Sequence, residues 1–230
     1  MKKQIPNLIT LGNLLCGVLA SLFAAVGHLN LAALFICLGI FLDFFDGMAA
    51  RLLNVASPLG KELDSLADLV TSGVAPGFIL MALLWDNPIS RWLSYIALLM
   101  PLFAAYRLAK FNLDTRQSHS FLGLPVPANA LIWVGLALCG SDALSLNNAN
   151  TIILIVISLI TNILMVSELP MFSLKFNFKD LSWHTNFIQY IFLIGCALII
   201  ILTRQWCAIS LIILWYIIFS IITRKQQHAE

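Results

Sequence analysis

Charge is what this chain has least of. Only 10% of its 230 residues are Asp, Glu, Lys or Arg, against roughly a quarter in a soluble domain. With 60% hydrophobic residues it cannot cover a soluble surface, so its solvent is the bilayer. Other absences close further routes. The longest polar connections, 112–124 and 168–186, are too short to form a separate soluble domain. No internal repeat is visible, which gives an inverted-repeat transporter no support. The five cysteines, Cys16, Cys37, Cys139, Cys196 and Cys207, lie in or beside apolar stretches without CxxC spacing. They read as buried thiols rather than disulfides or metal ligands. A net charge of +2 says nothing about nucleic acid, because the cations sit where membrane topology demands them, and no nucleic-acid partner is expected. Lys2 and Lys3 precede an apolar stretch as in a signal peptide, but Asn7, Thr10, Gly12 and Asn13 make a poor apolar core.

What is there is a series of stretches near the ~20 residues that span ~30 Å of hydrocarbon. They run over 8–26, 31–53, 66–85, 92–108, 128–144, 151–166, 187–202 and 206–222. The fifth is interrupted by Gly135, Gly140 and Asp142, and charge arbitrates, since short cytoplasmic loops collect Lys and Arg. With eight spans and the N-terminus inside, eleven of the thirteen cations are cytoplasmic and only Arg91 and Arg204 lie outside. Without the fifth span, eight would lie inside and five outside. The expectation is therefore an all-α, polytopic bundle of eight transmembrane helices, residues 1–230 forming a single integral membrane domain. Both termini are expected on the cytoplasmic side. The connection 168–186, with Phe172, Phe176, Phe178 and Trp183 among Lys175 and Lys179, could lie along the headgroup layer or form a plain loop.

The informative stretch joins spans two and three. On a helix, Asp43, Asp46, Gly47 and Ala50 share one face at i, i+3, i+4 and i+7, with Arg51 just beyond. Gly60, Asp64, Asp68 and Ser72 form an i, i+4 row on the next helix. Ser57-Pro58 breaks the chain between them, so the two helices should be antiparallel neighbours with their carboxylates facing. Asp43 lies eight residues before Arg51, roughly 12 Å in from the helix end at ~1.5 Å per residue. A carboxylate at such depth costs about 2.5–3.5 kcal/mol or more, and four together repel unless protonated or neutralised. One Arg cannot balance four. Two divalent cations can, and a carboxylate-lined pair stabilises attacking and leaving oxygens in phosphoryl transfer. Oxygen-only ligation points to Mg²⁺ or Mn²⁺. Gly47, Ala50 and Gly60 leave room for a nucleotide to approach the backbone. Isolated intramembrane Asp residues can instead be proton relays or hydrogen-bonders between helices, a reading that four on two facing rows do not favour.

The pattern D-x₂-D-G-x₂-A-R-x₈-G-x₃-D-x₃-D, met here by Asp43, Asp46, Gly47, Ala50, Arg51, Gly60, Asp64 and Asp68, resembles the signature of the CDP-alcohol phosphatidyltransferases. The resemblance implies that Asp43, Asp46 and Asp64 hold metal and that Asp68 both contacts metal and acts as the base. It implies that Gly47, Ala50, Arg51 and Gly60 surround the CDP moiety. It also implies a six-helix core over about residues 5–170, usually dimeric, with a cavity open to the cytosol and the lipid. The spans at about 187–222 would be additions to that core.

Pro6-Asn7, Thr10, Asn13 and Gly17 in the first span, Arg107 to Asn112, Phe121 to Ala128 and Met165 to Lys175 are similar to the bacterial, membrane-embedded branch that takes L-serine. That implies CDP-diacylglycerol and L-serine as substrates, in the bacterial cytoplasmic membrane with the site facing the cytoplasm. Asn7, Thr10 and Asn13 lie on one helical face and offer hydrogen bonds, Asn7 and Thr10 toward the CDP group. They could equally be polar residues of helix packing. Arg107 and Lys110, at i, i+3, could anchor the span end or pair with the serine carboxylate or the lipid phosphate. Asn13 and Asn112 are candidates for the same acceptor or lipid-phosphate site. Two rivals stay open: the same chemistry with glycerol 3-phosphate as acceptor, and a cation- or proton-coupled transporter using the aspartates as an ion site.

Overall fold

The structure, a computed structural model, describes residues 4–85, 91–114, 122–139, 148–171 and 187–227. The regular elements among them are all helical: α1 (Gln4–Ala25), α2 (Leu29–Leu52), α3 (Pro58–Asp68), α4 (Ala75–Trp85), α5 (Leu99–Leu113), α6 (Val126–Leu138), α7 (Asn148–Val166), α8 (Phe187–Thr203) and α9 (Ala208–Gln227). A π-helical segment, Leu69–Val74, joins α3 to α4, and a 3-10 segment, Leu93–Leu98, leads into α5. Five rods are long and apolar enough to cross a membrane: α1, α2, the continuous Pro58–Trp85, Leu93–Leu113 and α7. Shorter apolar helices, α6, α8 and Ala208–Thr223 of α9, complete the bundle. The eight expected stretches each find a helix. Gly140 and Asp142 of the fifth stretch, and the possible headgroup-layer segment 172–186, lie outside the described residues.

In lipid, helices associate through close packing of small residues rather than through a hydrophobic drive. The α1–α2 pair is built that way, burying Cys16, Gly17, Ala20 and Ala24 against Ala32, Ala33, Ile36 and Gly39. Gly27, at φ 84°, closes α1: its amide donates to Ala24 O at 3.1 Å, and the His28 amide to Phe23 O at 2.8 Å. That left-handed close is available to glycine at little cost. Across the turn, Phe23 stacks on Phe35 with ring centres 5.4 Å apart.

The reversal from α2 to α3 positions the acidic rows. Asn54 takes φ 53°, a region Asn tolerates better than most residues, and the Val55 amide returns to Ala50 O at 3.0 Å. Ser57 then caps α3, its hydroxyl accepting from the Gly60 amide at 3.1 Å, with Pro58 in the first turn, where its missing N–H costs nothing. Helix three therefore starts at Pro58 and not near residue 66, so Asp64 and Asp68 ride on the same rod as the apolar Ala75–Trp85. The π segment begins directly after Asp68. It brings the Thr71 hydroxyl to donate to Asn13 O at 3.0 Å. Gly17 permits this approach, since a Cβ there would come within 2.7 Å of the Thr71 nitrogen.

Helix α6 explains the weak fifth stretch. Its 13 residues cover about 20 Å at 1.5 Å per residue, short of the hydrocarbon thickness. It buries Val126, Asn129, Ala130, Ile132, Trp133, Val134, Gly135 and Ala137, packing against α2, α4 and α9. Its surroundings are protein rather than lipid, so hydropathy understates it. Helix α8 buries only Phe192, which meets Tyr216 and Phe219 of α9.

One expectation is overturned. Cys139, at the end of α6, and Cys207, in the turn before α9, are joined as a disulfide, their Cα atoms 5.1 Å apart. No local pattern announces the pair, since 68 residues separate the two cysteines and only the packing of α9 on α6 brings them together. Cys16, Cys37 and Cys196 are free thiols.

Candidate active site

The end of α2 and the start of α3 meet at the face where the chain reverses, and three carboxylates converge there. One oxygen each from Asp43, Asp64 and Asp68 lies within 4.8 Å of the others. All three side chains are half-buried, held on helices rather than on loops. Asp46, one turn on from Asp43, stands outside this trio: it is 5% exposed, and its carboxylate accepts a hydrogen bond from the Thr10 hydroxyl of α1. The donor set of the trio is all oxygen, within the compass of a hard divalent cation, and so fits Mg²⁺ or Mn²⁺.

Beside the trio lies a cavity of about 210 Å³, with Asn7, Thr10, Asp46, Gly47, Ala50, Arg51, Gly60 and Asp64 on its walls. Every residue that sequence reasoning placed around the CDP group thus lines one space. The two glycines serve differently there. A Cβ on Gly60 would press to 3.3 Å from both Asn7 Oδ1 and Ser57 Oγ, whereas a Cβ on Gly47 would meet nothing within 4 Å. Gly60 therefore allows α1 to approach α3, and Gly47 leaves the cavity open. A second space, a groove of about 680 Å³, is walled by Asp43, Phe44, Met48 and Leu52 and shares Asp46, Gly47, Arg51 and Asp64 with the first. Phe44 and Leu52 are 67% and 74% exposed, so this groove presents an apolar side along α2. A cavity that offers Asn7, Thr10, Arg51 and Lys61 and a groove flanked by Phe44, Met48 and Leu52 meet at one carboxylate cluster, an arrangement that suits a ligand with a polar head and a lipid tail.

A family model described as CDP-alcohol phosphatidyltransferase matches residues 3–171. The chain belongs to that family. The match covers the signature residues and α1 through α7, and it makes the protein a transferase. Over 124 residues, 54% of this chain and 69% of the relative, it is 46% identical to a CDP-diacylglycerol–serine O-phosphatidyltransferase of Bacillus subtilis. Over 221 residues, 94% of this chain and 89% of the relative, it is 31% identical to an enzyme of the same name from Helicobacter pylori strain 26695. A third of that name, from Methanocaldococcus jannaschii, is 36% identical over 131 residues, 57% of this chain and 59% of the relative. The Helicobacter likeness leaves too few residues aside to omit α8 and α9.

The phosphatidyltransferase's acceptor candidates are scattered. Arg107 and Lys110 line a small pocket with Phe111, Leu122 and Ser167. Arg107 is 8% exposed, its guanidinium 5.7 Å from the Phe111 ring centre, and its buried Nε has no hydrogen-bond partner. Lys110 pairs with Glu168 at 3.1 Å. Asn13 is fully buried, and its Nδ2 points to Asp68 Oδ1 at 3.5 Å. The Asn112 side chain donates to Ser65 Oγ at 2.8 Å, and the Asn112 backbone carbonyl accepts from Lys61 Nζ at 3.0 Å. Asn13 and Asn112 thus buttress the acidic helix and line neither this pocket nor the cavity. Sequence reasoning passed over Lys61, which also lines the cavity, and Glu168. The signal for Lys61 was its place next to Gly60. Glu168 lay in a resembling segment but offered no periodic partner.

Proposed function

We propose that this phosphatidyltransferase moves the phosphatidyl group of CDP-diacylglycerol to L-serine, giving phosphatidylserine and CMP. The observation that carries the reading is the meeting of the Asp43–Asp64–Asp68 trio with a cavity walled by the remaining signature residues and a groove with an apolar side. The nucleotide sits in the cavity among Asn7, Thr10, Gly47, Ala50, Arg51 and Gly60, and the acyl chains leave along the groove past Phe44 and Leu52. Asp68 takes the proton of the serine hydroxyl as its oxygen attacks the lipid-side phosphorus. Arg51 holds charge on the departing CMP. Asp43, Asp46, Asp64 and Asp68 would hold two divalent cations, Mg²⁺ or Mn²⁺; bound there, the cations neutralise the carboxylates and stabilise charge on the attacking and leaving oxygens. Thr10 fixes the Asp46 carboxylate.

Arg107 and Lys110 serve the carboxylate of serine, which needs a cation where inositol or choline does not. Arg107 supports this role best, since its buried guanidinium keeps an N–H unpaired, a costly arrangement unless a ligand completes it. The relatives named for serine support the same acceptor. The site faces the cytoplasm, in line with the distribution of Lys and Arg, in the inner membrane of a bacterium, and the enzyme works as a homodimer built on one membrane domain.

Acceptor identity is read by following CMP release from CDP-diacylglycerol with serine and with glycerol 3-phosphate in turn. Release with serine alone is expected. Release with glycerol 3-phosphate alone would replace the acceptor, and ion flux in proteoliposomes with no CMP would replace the chemistry. The cavity has its own test in Gly47→Leu. The added side chain meets no protein atom at its Cβ, so the thermal midpoint should hold. KM for CDP-diacylglycerol should rise about tenfold or more, the value of ~1.4 kcal/mol of lost binding. An unchanged KM would move the nucleotide elsewhere.

A further inference from the structure

The disulfide Cys139–Cys207 sits at the end of α6 remote from the acidic site. Helix α6 starts beside that site's face, where the Leu124 amide donates to Leu164 O at 3.0 Å near the Lys110–Glu168 pair, and runs about 20 Å away from it. At the far end, α9 is pressed onto α6 by more than the cysteines. The Ser210 hydroxyl donates to Ile132 O at 2.6 Å, and a Cβ on Gly135 would come within 2.6 Å of the Ser210 nitrogen. The two backbones touch there, and the Cα separation of 5.1 Å falls within the range that a bridge needs, roughly 4.4–6.8 Å. Cys139 and Cys207 are also only half-buried, within reach of an exchange partner, whereas Cys16 is buried inside α1.

We propose that Cys139 and Cys207 are an oxidised pair on the extracytoplasmic face, where they clamp the added spans α8 and α9 to the six-helix core. The choice of face rests on the orientation proposed above; the pairing itself does not. Disulfides persist outside the cytoplasm and are reduced within it, and the reversal of α6 and α9 puts both sulfurs on the face opposite the acidic cavity. The bond forms by exchange with the disulfide of an oxidised dithiol protein of the cell envelope. One cysteine thiolate attacks it to give a mixed disulfide, and the second cysteine resolves that intermediate. The two thiols lose two protons and two electrons, and the partner leaves as its dithiol. Nothing in the transfer reaction uses this bond. Its role is to hold α9, whose partner α8 buries only Phe192, against the core.

The test counts thiols in the full chain, denatured directly from membranes in a maleimide-polyethylene glycol reagent with and without prior reduction. Of the five cysteines, three free ones should be tagged before reduction and all five after it. Cys139→Ser and Cys207→Ser should each give four tags under both conditions. Five tags on the unreduced wild type overturn the pairing. Sidedness is read separately by a membrane-impermeant maleimide on intact spheroplasts carrying Cys207→Ser. Labelling of Cys139 from outside supports the placement; labelling only after permeabilisation overturns the face and the proposed orientation, while the tag count still judges the pairing. The clamp is judged by heat. The Cys139→Ser, Cys207→Ser double variant should release CMP at the wild-type rate at low temperature but unfold at least about 5 °C lower. An unchanged midpoint overturns the clamp.

Discussion

Asp68→Asn is expected to lower serine-dependent CMP release by about 10³-fold or more while leaving CDP-diacylglycerol bound. A positioned general base contributes about 10²–10⁴ in rate, and a residue that also belongs to the carboxylate trio loses charge as well. The amide is nearly the size of the carboxylate and can still face the Asn13 side chain, which now points to Asp68 Oδ1 at 3.5 Å, so the helix pair should keep its packing. Binding, followed by equilibrium dialysis of labelled CDP-lipid in detergent, should change by less than about threefold in Kd, because the cavity residues lie on α1, α2 and the first turns of α3. Full turnover in Asp68→Asn would remove Asp68 from the role of base. A matching collapse of binding would make it a structural support of the cavity instead.

The second large effect is removal of divalent cations. EDTA treatment of the purified enzyme is expected to abolish CMP release, and Mg²⁺ or Mn²⁺ to restore it. Metal stabilisation of transition-state charge is worth several kcal/mol, and each ~1.4 kcal/mol is tenfold in rate, so a loss of about 10³-fold is the scale to expect. Asp43→Asn and Asp64→Asn should raise the metal concentration that gives half-maximal rate. Thr10→Val should do so less, because Thr10 bonds to Asp46, which stands outside the trio, and to no member of the trio itself. Undiminished activity in EDTA would leave the trio without its assigned partner.

Both predictions rest on residues that could be read from the chain, for a physical reason. Asp43, Asp46, Gly47 and Ala50 fall on one face because the helix repeats every 3.6 residues, and Ser57-Pro58 announces the reversal that turns Asp64 and Asp68 toward them. The eight apolar stretches were legible because the bilayer sets their length. What escaped was set by tertiary contact. The π segment after Asp68 depends on Gly17 admitting Thr71, which no local pattern records. The row from Gly60 to Ser72 has the spacing of one uniform helix, yet the π segment interrupts it directly after Asp68. Asp46 stands outside the trio and is bonded instead by Thr10, 36 residues away in sequence. Asn112 stood next to Arg107 and Lys110 in the chain, yet its hydrogen bonds run to Ser65 and Lys61. The Cys139–Cys207 pair required α9 to fold back on α6, and sequence spacing alone argued the other way.

The proposed attack of the serine hydroxyl on the lipid-side phosphorus of CDP-diacylglycerol at the Asp43–Asp64–Asp68 cluster is the step on which the function rests. It is tested most directly by supplying the purified enzyme with serine carrying ¹⁸O in its hydroxyl and weighing both products by mass spectrometry. The expected products are phosphatidylserine that keeps the ¹⁸O and CMP that carries none, formed in equal amounts. Phosphatidic acid with a labelled cytidylyl-serine would place the attack on the other phosphorus, and the absence of any labelled phospholipid would contradict serine as the acceptor.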